Sequence, residues 1–189
     1  MDLSTIICSQ LLRTKKSREM QFEIGKEISD EVIKNTKKLF RGLLGTESTL
    51  YLDNFNYDKE INNEISLPII NDEARLNRFK SLLMSRYWVV YKNIRSCEIP
   101  IITSDHPVVY YNIITRQTGF RDNGLGREET AIFFPINREL IIGLYTESMY
   151  FNVMSRFKDR LLIIDDPQFF ATLNRLQCEQ CFRQAYFSI

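Results

Sequence analysis

Glycine and proline are scarce in this chain of 189 residues, at seven and five, and histidine and tryptophan occur once each. So little glycine and proline excludes collagen-like and low-complexity classes. The Gly-x-Ser-x-Gly, His-Glu-x-x-His and paired Cys/His signatures are missing, which argues against a serine hydrolase of that type or a zincin. Gly124-Leu-Gly126 has neither a third glycine nor a Walker lysine, so no phosphate-cradling loop is read there. A surplus of one charge sign is missing as well. With 25 Lys+Arg against 24 Asp+Glu, the net charge of +1 removes the strongest cue for a general nucleic-acid binder. No apolar run approaches the roughly 20 residues that span a bilayer, and Met1–Gln10 lacks a basic segment leading into an apolar core. No membrane association is expected. Cys8, Cys97, Cys178 and Cys181 lack the spacing of a disulfide framework, so the expected compartment is the reducing cytoplasm.

What is present is globular: 44% hydrophobic, 12% aromatic and 26% charged residues. The length suits one domain, residues 1–189, large enough to bury a core. Leu3, Ile6, Ile7 and Leu11, then Ile24, Ile28, Val32 and Leu39, predict helix from 3 to about 44, ended by Gly42 and Gly45. The helix is single or is bent at Lys15-Lys16-Ser17. Residues 46–71 lose all periodicity and carry five acidic residues against one lysine, an irregular acidic loop region. Helix resumes over 72–93 through Leu76, Phe79, Leu82 or Leu83, Arg86 or Tyr87, and Val90, with Asn71 or Asp72 as cap. Short β-branched and aromatic runs follow at 99–103, 107–114, 130–136 and 139–145. Asn137-Arg138 leaves room only for a tight turn, which makes the last two runs antiparallel neighbours. A short helix at 148–157 and a strand at 160–165 precede a final helix that starts at Asp166-Pro167, a cap followed by proline. The fold class is α+β: N-terminal helices and a C-terminal helix packed on one face of a mainly antiparallel sheet.

Three groups of residues carry candidate chemistry. Ser104, Asp105 and His106 lie together between two strands, within Thr103–Pro107. A loop histidine can carry protons near neutrality, with a carboxylate to orient it or hold a cation. The plainer alternative is a tight turn in which Ser and Asp bond to nearby backbone. Arg13 and Arg18 flank Thr-Lys-Lys-Ser and suit an anionic group, nucleic-acid phosphate included. On one continuous helix they would project about 140° apart, so a pincer requires a break between them. The alternative is a solvated face. Cys178 and Cys181 share one helical side late in the last helix, the wrong end for a reactive thiol, and are assigned to core packing. Trp88 is likewise read as core rather than as a stacking platform.

Three stretches together resemble the bacterial family known as domain of unknown function 4238. They are Gln10-Leu-Leu-Arg13-Thr14 with Arg18, then Ile101–Val108 with Trp88 before it and Phe134-Pro135 after it, and finally Leu173-Asn174-Arg-Leu-Gln177. The family's motif has asparagine where this chain has His106, and proline where it has Lys15. Its leading His…Pro…Leu…Phe segment has no counterpart here, which reads the chain as a truncated or divergent member, or as one that a partner chain completes. The resemblance implies no established activity, cofactor or substrate, and no metal is assigned. It does imply that Arg13, Arg18, Ser104, Asp105 and Asn174 converge. Two functional expectations follow. In the first, Arg13, Arg18, Ser104 and Asn174 bind substrate while Asp105 and His106 catalyse phosphate-ester hydrolysis, on a nucleic acid, as in a defence or toxin-type effector. In the second, the same residues form a structural network within a non-catalytic binding or regulatory module.

Overall fold

The computed structural model describes residues 3–44, 73–118, 124–150 and 161–187. The N-terminal helical stretch is two helices, α1 (Leu3–Arg13) and α2 (Lys15–Leu44), and the break falls at Thr14, just before the expected bend. Helix α2 runs through Gly42, while Gly45 and the whole of 46–71, with Asn71, lie outside the described residues, as does Asp72. Helix α3 (Glu73–Met84) is shorter than the sequence predicts, because Tyr87–Asn93 is strand β1. An apolar run of this length satisfies either period. Strand prevails because β1 is paired on both edges, antiparallel to β5 (Leu140–Tyr145) and parallel to β6 (Leu161–Ile164). The five-stranded sheet has the order β3 (Val109–Asn112), β4 (Thr130–Pro135), β5, β1, β6. The expected β4–β5 hairpin is present, and the Asn137 carbonyl oxygen side chain accepts the N–H groups of Glu139 and Leu140 to close its turn. Of the run at 99–103 only β2 (Thr103–Ser104) forms a strand. A three-residue helix α4 (Glu147–Met149) opens the predicted 148–157 helix, whose remainder from 151 lies outside the described residues. Helix α5 (Pro167–Gln180) begins as read, with the Asp166 carboxylate accepting the Gln168 N–H. The last strand, β7 (Ala185–Tyr186), pairs antiparallel with β2.

Helices cover both faces of the sheet, not one. Side chains alternate along a strand, so β1 sends Val89 and Tyr91 to one side and Trp88 and Val90 to the other. On the first side Phe133, Ile141 and Tyr145 meet Phe170, Leu173 and Leu176 of α5. On the second, Ile132, Phe134, Ile142 and Leu144 meet Ile7 and Leu11 of α1 and Leu83 of α3, with half-buried Trp88 against them. Strands buried on both faces read as near-continuous apolar runs, as Thr130–Pro135 does.

Gly143 makes one of these layers possible. A Cβ there would lie 2.8 Å from Tyr91 Cε2 and 3.0 Å from Tyr145 Cε2. The bare backbone lets both rings settle over β5 with their hydroxyls 2.6 Å apart. Burial pushes the Tyr91 hydroxyl up to about 12 and the Tyr145 hydroxyl well above its ordinary value, so the pair stays neutral and hydrogen-bonded. Gly143→Ala is expected to cost about 1–3 kcal/mol by overpacking, measured by urea unfolding, and Gly143→Ala with Tyr91→Phe is expected to recover little, because the ring and not the hydroxyl is in the way.

Candidate functional site

The sequence-singled loop is where three distant parts of the chain meet. Ser104 ends β2 and Asp105 and His106 follow it before β3, against α5 and the α1–α2 joint. Helix α5 turns three amide side chains onto the main chain of residues 100–110. Asn174 accepts the Ile102 N–H at 3.0 Å and donates to the Pro100 carbonyl at 2.8 Å. Gln177 accepts the Ser104 hydroxyl at 2.8 Å and donates to the Pro107 carbonyl at 2.8 Å. Gln180 accepts the Tyr110 N–H at 2.9 Å and donates to the Tyr110 carbonyl at 2.7 Å. Strand β3 ends the sheet, so Gln180 supplies the two bonds that a further strand would have made there.

Asp105 ties in the chain that returns after α5. Its two carboxylate oxygens accept the N–H groups of Phe182 and Arg183 at 2.9 and 2.8 Å, and its own N–H donates to the Gln184 carbonyl at 3.0 Å. Burial disfavours its charge, but the backbone N–H groups of 182–184 outweigh that and hold the carboxyl below its usual range. His106 is 4% exposed. Its Nδ1 lies 2.7 Å from Thr14 Oγ1, and its own N–H donates to Ser104 Oγ at 3.2 Å. Burial, helped by the nearby Lys16 ammonium and opposed by Asp105, pushes the imidazole down to about 4. Lys16 donates to the carbonyls of Gln180 at 2.6 Å and Cys181 at 3.3 Å, placing a cation at the C-terminal end of α5.

Ser104, Asp105, His106 and Asn174 therefore belong to one assembly. Arg13 and Arg18 bracket the Thr14 break on α1 and α2, but their side chains lie outside the described residues. Sequence reading missed Lys16, Gln177 and Gln180 as members. The available signal was glutamine recurring among the apolar positions of the last helix, at Gln177. The buried face of α5 is Phe170, Leu173, Leu176, Gln177 and Gln180, whereas Cys178 is exposed and Cys181 half-buried, so these thiols are not core. Among the described residues no three His, Cys, Asp or Glu side chains gather closely enough to hold a metal ion.

The meeting of Thr14 with His106, and of Asn174 with Ile102, joins the three motif-bearing stretches in space. A family model described as a protein of unknown function (DUF4238) matches residues 1–189. The chain belongs to the DUF4238 family. No curated protein and no solved structure matches it. No helix among the described residues is long and apolar enough to cross a membrane.

Clefts lie away from this assembly on the DUF4238 chain. Two adjoining clefts of about 660 and 420 Å³ share Ser85, Arg86 and Glu147. The first is walled by Leu3, Met84 and Trp88, the second by Leu125 and Glu128. Arg86 lines both and is 5% exposed. It donates to the carbonyls of Thr130, of Leu125 at 2.7 Å and of Arg127 at 3.2 Å.

Two outcomes test the assembly. An unfolded histidine protonates near pH 6.5, whereas buried His106 resists protonation down to about 4. Its contribution is full above pH 6.5 and is lost as pH falls from there through 4, by roughly 3 kcal/mol in all. His106→Asn should flatten that slope, read from urea unfolding at pH 7, 5.5 and 4. Gln180→Ala strands the buried N–H and carbonyl of Tyr110 and should cost about 2–4 kcal/mol.

Proposed function

We propose that this DUF4238 protein is a non-catalytic binding or regulatory module in which Ser104, Asp105, His106 and Asn174 hold the α1–α2 joint, the 100–110 segment and α5 together. The observation that carries this reading is the commitment of their polar atoms. Both Asp105 oxygens, the Ser104 hydroxyl, both ends of the Asn174 amide and His106 Nδ1 each have a partner within the protein. A general base works best with a pKa near the operating pH. Asp105 lies below the carboxylate range and His106 is near 4 and sealed from solvent, so neither is poised to activate water at neutrality. The clefts over Arg86 and the cleft beside Asn137 are lined by other residues.

The test sets hydrolysis against folding. Wild type, Asp105→Asn and His106→Asn are assayed on bis(p-nitrophenyl) phosphate and on single-stranded RNA, with and without Mg²⁺ or Mn²⁺, beside thermal unfolding. No turnover above the protein-free blank is expected. Asp105→Asn is expected to lower Tm by roughly 2–8 °C, through loss of about 1–2 kcal/mol of charge-assisted bonding. Turnover that Asp105→Asn abolishes without moving Tm would establish the hydrolase and overturn the module.

A further inference from the structure

We propose that the clefts over Arg86 bind a small zwitterion, an apolar α-amino acid, with its carboxylate on the Arg86 guanidinium and its ammonium toward Glu147. The inference rests on the reading of the chain as a binding module and gives that module a ligand class.

The guanidinium supplies the first reason. Arginine stays charged in proteins and presents five N–H donors. Three hydrogen bonds, all to backbone carbonyls, are made by Arg86, and no carboxylate lies within ion-pair distance of it among the described residues. A cation this deep costs free energy that neutral carbonyls offset only in part. Two donors remain, on a side chain that lines both clefts. With both Nη2 hydrogens committed, a ligand carboxylate would take one of the two remaining donors in a single charge-assisted bond and would neutralise the buried charge.

The rim supplies the second reason. Glu147 is exposed, lines both clefts, and accepts the Tyr87 hydroxyl at 3.5 Å. Glu128 adds a second carboxylate to the smaller cleft. A cation and carboxylates lining the same clefts disfavour a polyphosphate and favour a molecule that carries both signs. The third reason is the wall. Leu3, Met84 and Trp88 border the larger cleft, and its volume of about 660 Å³ falls within the range of small-molecule sites. An apolar side chain fits there. Ser85 adds no competing donor, since its hydroxyl already donates to the Leu82 carbonyl at 3.0 Å.

The experiment is calorimetric titration of the intact chain with L-phenylalanine and L-leucine, beside N-acetyl-L-phenylalanine, 2-phenylethylamine and inorganic phosphate. Saturable binding of the two amino acids is expected. Removing either ligand charge should weaken binding at least about tenfold, the loss of one charge-assisted contact. Because Arg86 also holds the 125–130 loop, the variant of choice is Glu147→Gln, at an exposed position. It should weaken L-phenylalanine about fivefold or more while leaving N-acetyl-L-phenylalanine unchanged. Arg86→Lys, where it folds, should weaken both. No saturable heat from either amino acid up to about 10 mM overturns the proposal, as does binding of phosphate alone or equal affinity of wild type and Glu147→Gln. Each of these outcomes leaves the Asp105→Asn assay to judge the module reading separately.

Discussion

The pairing of α5 amide side chains with the main chain of residues 100–110 is the interaction on which the rest of the structure depends. Buried backbone N–H and C=O groups must find partners, and this stretch is too irregular to find them in a sheet. Its one strand before β3 is two residues long. Asn174, Gln177 and Gln180 recur every third residue, so one helical edge serves Pro100, Ile102, Pro107 and Tyr110 in turn. Carboxamides suit the task because each offers a donor and an acceptor, the same pair that a peptide unit offers. The price of this arrangement is polar side chains placed in the otherwise apolar face by which α5 covers the sheet.

The same solution recurs on the opposite side. Arg86 satisfies the carbonyls of the 125–130 loop as α5 satisfies 100–110, and Lys16 does so for the end of α5 itself. Asn93, Asn112 and Asn137 each bond to main chain within a few residues. In an α+β fold with helices on both faces, loops are drawn close to the core and long polar side chains take the place of water. The two cationic examples differ in consequence. Lys16 sits at a helix C-terminus, where its charge is welcome, whereas the hydrogen bonds of Arg86 among the described residues go to loop carbonyls, and Arg86 lines the clefts.

Membership of the DUF4238 family supplies no chemistry by itself, so function rests on the geometry of the site. The residues that look most like catalytic groups in the sequence are hydrogen-bonded to other parts of the chain. A serine, aspartate and histidine in adjacent positions resemble a proton-transfer set, yet adjacency in an extended chain sends neighbours in different directions. Here Asp105 faces the returning C-terminal segment, His106 faces Thr14 and Ser104 faces Gln177. The tight-turn alternative weighed for this loop describes Ser104, whose Oγ accepts the His106 N–H, but not Asp105, whose backbone partner Phe182 is 77 residues away.

The sequence by itself determined the elements whose signals are local. Asp166-Pro167 marks a helix start because cap and proline act within one turn, and Asn137-Arg138 marks a hairpin because two residues leave no other path. It also determined the α+β class, through the change from helical to alternating texture near residue 96. The apolar run at Tyr87–Asn93 was not decidable locally, since its period fits helix and strand alike and only pairing with β5 and β6 selects strand. The face each helix covers, the service of Gln180 to Tyr110 and the place of Arg86 in the lining of the clefts came from tertiary structure alone. Each depends on a partner far along the chain, and a sequence shows that a polar residue lies among apolar ones long before it shows what that residue will meet.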